Sequence, residues 1–75
     1  PLQISVEKDN TIKVNKMLVS LEQLRSVLFK IKEANPQCRP LLLHDKEAFF
    51  GTYQDIKNTL ENAGFEEVDV VLLPS

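Results

Sequence analysis

A chain of 75 residues, 43% hydrophobic and 27% charged, has the composition of one small globular domain, and a domain this size buries only about 60% of the surface its unfolded chain exposes. Its net charge of -2 supplies no broad basic surface, which excludes nucleic acid as the main ligand. No apolar run is long enough for a membrane span, no signal-peptide pattern is present, and the single Cys38 excludes an intrachain disulfide.

The first element expected is a strand with one buried face, because Leu2, Ile4 and Val6 alternate with Gln3, Ser5 and Glu7. Asp9-Asn10 tolerates positive φ and predicts a tight hairpin into Ile12 and Val14, which flank Lys13. Asn15-Lys16 then breaks or bulges this second strand before Met17, Leu18 and Val19. Ser20 and Gln23 fit a capping box, so the first helix is expected to start at Leu21. Leu21, Leu24, Val27, Leu28 and Ile31 form its core stripe, whereas Phe29 lies off the stripe and is a candidate contact residue. Asn35-Pro36 ends the helix.

Leu41, Leu42 and Leu43 run without alternation, as in a central strand covered on both faces, and His44 and Asp45 end that run. A second helix carries Tyr53, Ile56, Leu60 and Ala63 on one face, and Gly64 suits the left-handed position that closes it. Its start is open between a Thr52/Asp55 capping box and a stripe that reaches back to Phe49. Phe49 and Phe50 are expected as core anchors. The last strand runs from Glu67 to Leu73, with Val68, Val70 and Leu72 on one face and Asp69, Val71 and Leu73 on the other. Val71 and Leu73 fit either burial within the monomer or packing against a second subunit or a missing segment.

The expected fold is a small two-layer α+β domain in the order ββαβαβ, a mixed sheet with both helices on one face. The strands around the second helix are expected to pair in parallel through a right-handed crossover. Residues 1–75 form its single domain. The start at Pro1 without Met suggests a fragment of a longer polypeptide or a processed product.

The segment from Asp45-Lys46 through Phe50 to Ala63-Gly64 and the apolar run Val68 to Leu72, preceded by the strand pair and helix from Leu2 to Ile31, resembles the soluble domain of the ExbD/TolR family. His44 stands where that family more often has a small residue, and Asn10 and Lys16 stand at turn positions where glycine is common. The resemblance implies a periplasmic domain of a single-pass inner-membrane protein whose transmembrane anchor is not in this chain. Such a protein couples an ExbB/TolQ-type channel, driven by proton-motive force, to a TonB/TolA-type transducer of outer-membrane transport. It implies a homodimer or partner-binding module, or a TolR-like domain that contacts peptidoglycan. A scaffold domain that uses the fold only for self-assembly is a further alternative.

Enzymatic chemistry is not expected. His44 and Asp45 are neighbours on a strand and point to opposite faces, and no nucleophile, base and orienting group converge in the sequence. Cys38 and His44 match no structural zinc spacing, Gly51 lacks phosphate-cradling neighbours, and no cofactor is implied. Asp45 is expected either to order the strand-helix loop by accepting backbone N–H groups or to present a charge to a partner. The mechanism that fits best is addition of an extended peptide to a sheet edge, formed by Leu2 to Val6 or by Val68 to Leu73. Val68, Val70, Val71, Leu72, Leu73, Phe29 and Asp45 are the candidate partner-binding residues.

Overall fold

A computed structural model describes residues 2–74. The chain forms β1 (Gln3–Val6), β2 (Ile12–Val14), β3 (Met17–Val19), α1 (Leu21–Ala34), β4 (Leu41–Asp45), α2 (Phe50–Asn62) and β5 (Asp69–Leu73). The five strands form one mixed sheet in the order β3-β2-β1-β4-β5. β1 pairs antiparallel with β2 and parallel with β4, β2 pairs antiparallel with β3, and β4 pairs parallel with β5. The domain is therefore α+β, with the parallel β4-α2-β5 unit at one side of the sheet. No helix among the described residues is long and apolar enough to cross a membrane.

Both hairpins depend on left-handed residues that are not glycine. The first loop places Asn10 at φ 70, with the Asn10 amide donating to the Glu7 carbonyl and the Glu7 amide donating to the Thr11 carbonyl. This is the three-residue loop in which a type I turn ends in a left-handed residue. Asn15 and Lys16 have φ 47 and 76 and directly join β2 to β3. Two successive left-handed residues turn the chain back on itself with the twist a hairpin requires. The segment 17–19 is therefore a separate strand and not the continuation of a bulged β2. Asn15 also ties the hairpin to β1, as its Oδ1 accepts from the Gln3 amide at 2.9 Å.

α1 begins where its sequence requires. The Gln23 amide donates to Ser20 Oγ at 3.1 Å and the Ser20 amide donates to Gln23 Oε1 at 2.8 Å, a complete capping box. α2 ends with the reciprocal device at its other terminus. Gly64 adopts φ 99, its amide donates to the Glu61 carbonyl, and the Phe65 amide donates to the Leu60 carbonyl. This pattern satisfies two final carbonyls and brings buried Phe65 over buried Leu60.

The core lies between the sheet and the two helices. Ile4, Val6, Ile12, Val14, Val19 and Leu42 of the sheet meet Leu24 and Leu28 of α1 and Ile56 and Leu60 of α2. β4 alternates, with Leu42 and His44 buried under the helices and Leu41, Leu43 and Asp45 half-buried on the far face. The leucine run is thus central in the sheet but covered on one face only, because both helices lie on the same side. β1 lies between β2 and β4, so it is an interior strand and not an edge.

Candidate functional site

The two edges of the sheet differ in kind. β3 has three residues and is held by the tight turn before it and the α1 cap after it. β5 has five, and all five are exposed. Its backbone orientation follows from its first and last contacts. The Asp69 amide donates to the Pro40 carbonyl at 3.0 Å, and the Lys46 amide donates to the Leu73 carbonyl at 2.8 Å. Backbone polar groups alternate sides along a parallel strand, so Asp69, Val71 and Leu73 face β4 while Val70 and Leu72 turn theirs to the open edge.

Both side-chain faces of this edge are apolar. Leu43 is paired with Val71 and Asp45 with Leu73, so Leu41, Leu43, Val71 and Leu73 form a strip on the sheet face opposite the helices. On the helix side, Leu42 is paired with Val70 and His44 with Leu72. There α2 leaves a cleft of about 450 Å³ lined by His44, Lys46, Ala48, Phe50, Tyr53, Val70 and Leu72. Leu72, at 66% exposure, forms its outer lip, whereas His44, at 4%, forms its floor. Tyr53 meets His44 edge-on with ring centroids 5.5 Å apart and stacks against Phe50 at 5.7 Å.

The candidate residues named from sequence divide clearly. Val70, Val71, Leu72 and Leu73 come together on β5. Val68 packs partly against the core before the strand begins. Phe29 is 57% exposed on α1, an element that packs chiefly against α2 and β3. Asp45 orders the β4-α2 loop: its Oδ1 accepts from the Glu47 amide at 2.9 Å, and its carbonyl accepts from the Ala48 amide. Phe49 and Phe50 are not core anchors, being 69% and 68% exposed. Ala48 takes the buried position instead.

Capping of α2 comes from a distant residue. No side chain of its own segment caps Phe49. Asn10 Oδ1, from the β1-β2 loop, accepts from the Phe49 amide at 2.7 Å and from Thr52 Oγ1 at 3.2 Å. The Thr52/Asp55 capping box is therefore replaced by a tertiary one. The start of β5 is fixed from the other end of the sheet, where Arg39 Nε and Nη2 donate to the Asp69 carboxylate and Nη1 to Glu67 at 2.6 Å. The Asp69 carboxylate, followed by the charge of Glu67, holds the Arg39 guanidinium pKa above its ordinary value.

A larger cleft of about 590 Å³ lies beside Lys32, Pro36, Gln37, Cys38 and Arg39. Its cations are already engaged: Arg39 with Glu67 and Asp69, and Lys32 with the Pro36 carbonyl at 2.9 Å and the Phe65 ring. The smaller cleft at β5 is the one with apolar walls and an unsatisfied polar atom, since His44 Nδ1 is buried without a hydrogen-bond partner. Sequence reasoning does not connect His44 with Leu72, because the β4-β5 register that pairs them is not a local property. The fold and the site together define a small α+β domain with two apolar sheet edges, the short β3, where Met17 and Leu18 are exposed, and the longer β5, which alone borders an apolar cleft. Comparison with models of known families and with curated proteins finds no match to this chain.

Proposed function

We propose that this chain is a non-catalytic periplasmic domain of an ExbD/TolR-like component of a proton-motive-force-driven complex. In this reading it works by self-association and by adding an extended segment of a TonB/TolA-type transducer to β5. The ExbB/TolQ-type channel is engaged through a membrane segment outside this chain. The observation that carries the reading is β5 itself: an edge strand with Val70 and Leu72 turned outward and apolar side chains on both faces. An added strand gains backbone hydrogen bonds along its length, and alternate side chains on the two faces fix its register. Self-association draws on the same strip, since Val71 and Leu73 join Leu41 and Leu43 on the uncovered sheet face.

The test is an amide-resolved NMR titration with peptides from the periplasmic linker of the cognate transducer. Shifts concentrated on residues 69–73 and absent from β3 are the expected result. No shifts at millimolar peptide would overturn transducer binding and transfer the weight to peptidoglycan contact or self-assembly.

A further inference from the structure

We infer that β5 pairs with β5 of a second copy of this chain, antiparallel about a twofold axis at Val71, and that this pairing and the addition of a partner segment exclude each other. The exclusion rests on the strand-addition reading of β5, whereas the self-pairing rests on the geometry of the strand alone.

The outward backbone groups of β5 prescribe the register. Val70 and Leu72 each turn an N–H and a C=O to the open edge, while Asp69, Val71 and Leu73 direct theirs to β4. In an antiparallel pair, opposed residues alternate between those that exchange both hydrogen bonds and those that exchange none. Setting Val70 opposite Leu72 of the second copy also sets Leu72 opposite that copy's Val70, and every outward group of both strands is then paired. Val71 lies on the axis, opposite itself. With the axis at Leu72, Val70 would face Pro74, which follows the strand and has no N–H to donate. With the axis at Val70, Leu72 would face Val68, which precedes the strand and packs partly against the core.

Side chains and charge agree with that register. Opposed residues share a face, so Val70 and Leu72, exposed at 41% and 66%, cover each other on the helix side. On the far face Val71 meets Val71, and Leu43 continues the apolar row in each copy. α2 stands off β5 by the width of the cleft, which leaves room for the second copy beside Leu72. Asp69 falls opposite Leu73, so the two clusters of Arg39, Glu67 and Asp69 lie at opposite ends of the paired strands. Parallel pairing in register would set Asp69 beside Asp69, a destabilising arrangement. The other edge, β3, offers a ladder of only three residues. The exposed surface of Val70 to Leu73 amounts to about two whole side chains, far below the roughly 800 Å² per partner of a standard interface. The dimer is therefore weak and dissociates on dilution, and a segment that bonds Val70 and Leu72 displaces the second copy.

Cross-linking tests the register. In a Cys38→Ser background, Val71→Cys puts two thiols in an opposed pair without mutual hydrogen bonds, with Cα atoms about 4.5 Å apart and within disulfide reach. Val70→Cys or Leu72→Cys alone leaves the Cα atoms roughly 9 Å apart, beyond that reach. Under mild oxidation at millimolar chain, Val71→Cys is expected to form the disulfide dimer, while Val70→Cys, Leu72→Cys and Leu18→Cys on β3 stay monomeric. Oxidation of any of these three as fast as Val71→Cys would overturn the pairing, as would a parent chain that sediments as a monomer at millimolar concentration. Exclusion is read with two probes, the linker peptide of the transducer and a synthetic peptide with the sequence of residues 67–74. Both are expected to bind the reduced Val71→Cys chain and to lose binding to its disulfide dimer. Undiminished binding of either peptide to the dimer would overturn the exclusion. Binding of the β5 peptide without binding of the transducer peptide would instead remove the transducer reading and leave self-pairing standing.

Discussion

Glycine substitutions at two left-handed positions, Asn10 and Lys16, should act in opposite directions. The residues have nearly the same backbone conformation, φ 70 and φ 76. Lys16 is exposed and its main burden is steric: a β-carbon in the left-handed region costs an ordinary residue about 1–2 kcal/mol. Glycine relieves that crowding but loses roughly 0.5–1 kcal/mol more to unfolded-chain freedom. Lys16→Gly is therefore expected to stabilise the domain by about 0.5–1 kcal/mol, raising the melting temperature by about 2–8 °C. Asparagine tolerates the left-handed region, so glycine at residue 10 gains little from relief. What Asn10→Gly removes is the carboxamide that accepts from the Phe49 amide and the Thr52 hydroxyl. At about 0.5–1.5 kcal/mol net for each of the two hydrogen bonds, the variant should lose about 1–3 kcal/mol. Urea unfolding followed by circular dichroism, with equal m-values required, measures both. If Asn10→Gly matched or exceeded the stability of the parent chain, the tertiary cap on α2 would contribute nothing and the reasoning would fail. A destabilising Lys16→Gly would refute the turn at Asn15-Lys16.

Leu60→Ala empties a fully buried core position and should cost about 2–5 kcal/mol, a large share of the roughly 4–11 kcal/mol expected for 75 residues, so a calorimetric melt that barely moves would contradict the packing. The position of proline on β5 should matter more than its presence: Val71→Pro removes an amide that faces β4 and should unfold the strand, whereas Leu72→Pro removes one at the open edge and should block partner addition in a folded domain, as read by far-ultraviolet circular dichroism and peptide titration. Arg39→Ala should speed amide hydrogen exchange at the start of β5 without altering exchange in β1, and high salt should have the same effect on the parent chain. The Thr11 side chain and amide hold the Asp9 carboxyl below its ordinary value of 3.8, so Asp9 contributes stability that is present above that value and lost as pH falls through the lower folded one. Asp9→Asn should flatten that acid-side slope in urea midpoints measured across the same range.

Features with local causes were legible in the sequence, and features fixed by strand order were not. The Ser20/Gln23 box, the Leu24 and Leu28 stripe, and the Gly64 closure each depend on residues within one turn of one another, and each occurs where the sequence puts it. From sequence, Asn15-Lys16 fits a break or bulge and not a turn, because two-residue hairpins usually announce themselves with glycine and here lysine occupies the second left-handed position. The interior placement of β1 could not be read, since an alternating strand looks the same whether one or both of its sides are paired. The open edge was half legible. Val70 to Leu73 were candidates, but the direction of their amides and the cleft above them depend on the β4-β5 register. The cap supplied by Asn10 lies 39 residues from Phe49, beyond the reach of any local pattern.

The openness of β5 follows from simple dimensions. Five strands at about 4.8 Å spacing make a sheet roughly 24 Å wide, while two helices packed 8–10 Å apart cover roughly 20 Å of it. One strand's width must lie outside their cover, and chain order decides which. α1 packs against β3 and α2, so the helical layer is registered towards the hairpin side and the shortfall falls on β5. Exposing Val70, Leu72 and the outward amides of an edge strand invites aggregation, which proteins usually blunt with charge, proline or a bulge. Here Asp69, the only charged residue of β5, sits at the strand's start and is already engaged by Arg39. Between Asp69 at its start and Pro74 just past its end, the strand interior from Val70 to Leu73 carries none of these defences and is a surface suited to being covered. A single added strand would restore the missing width, pair the outward amides and place a side chain over the cleft whose floor is His44.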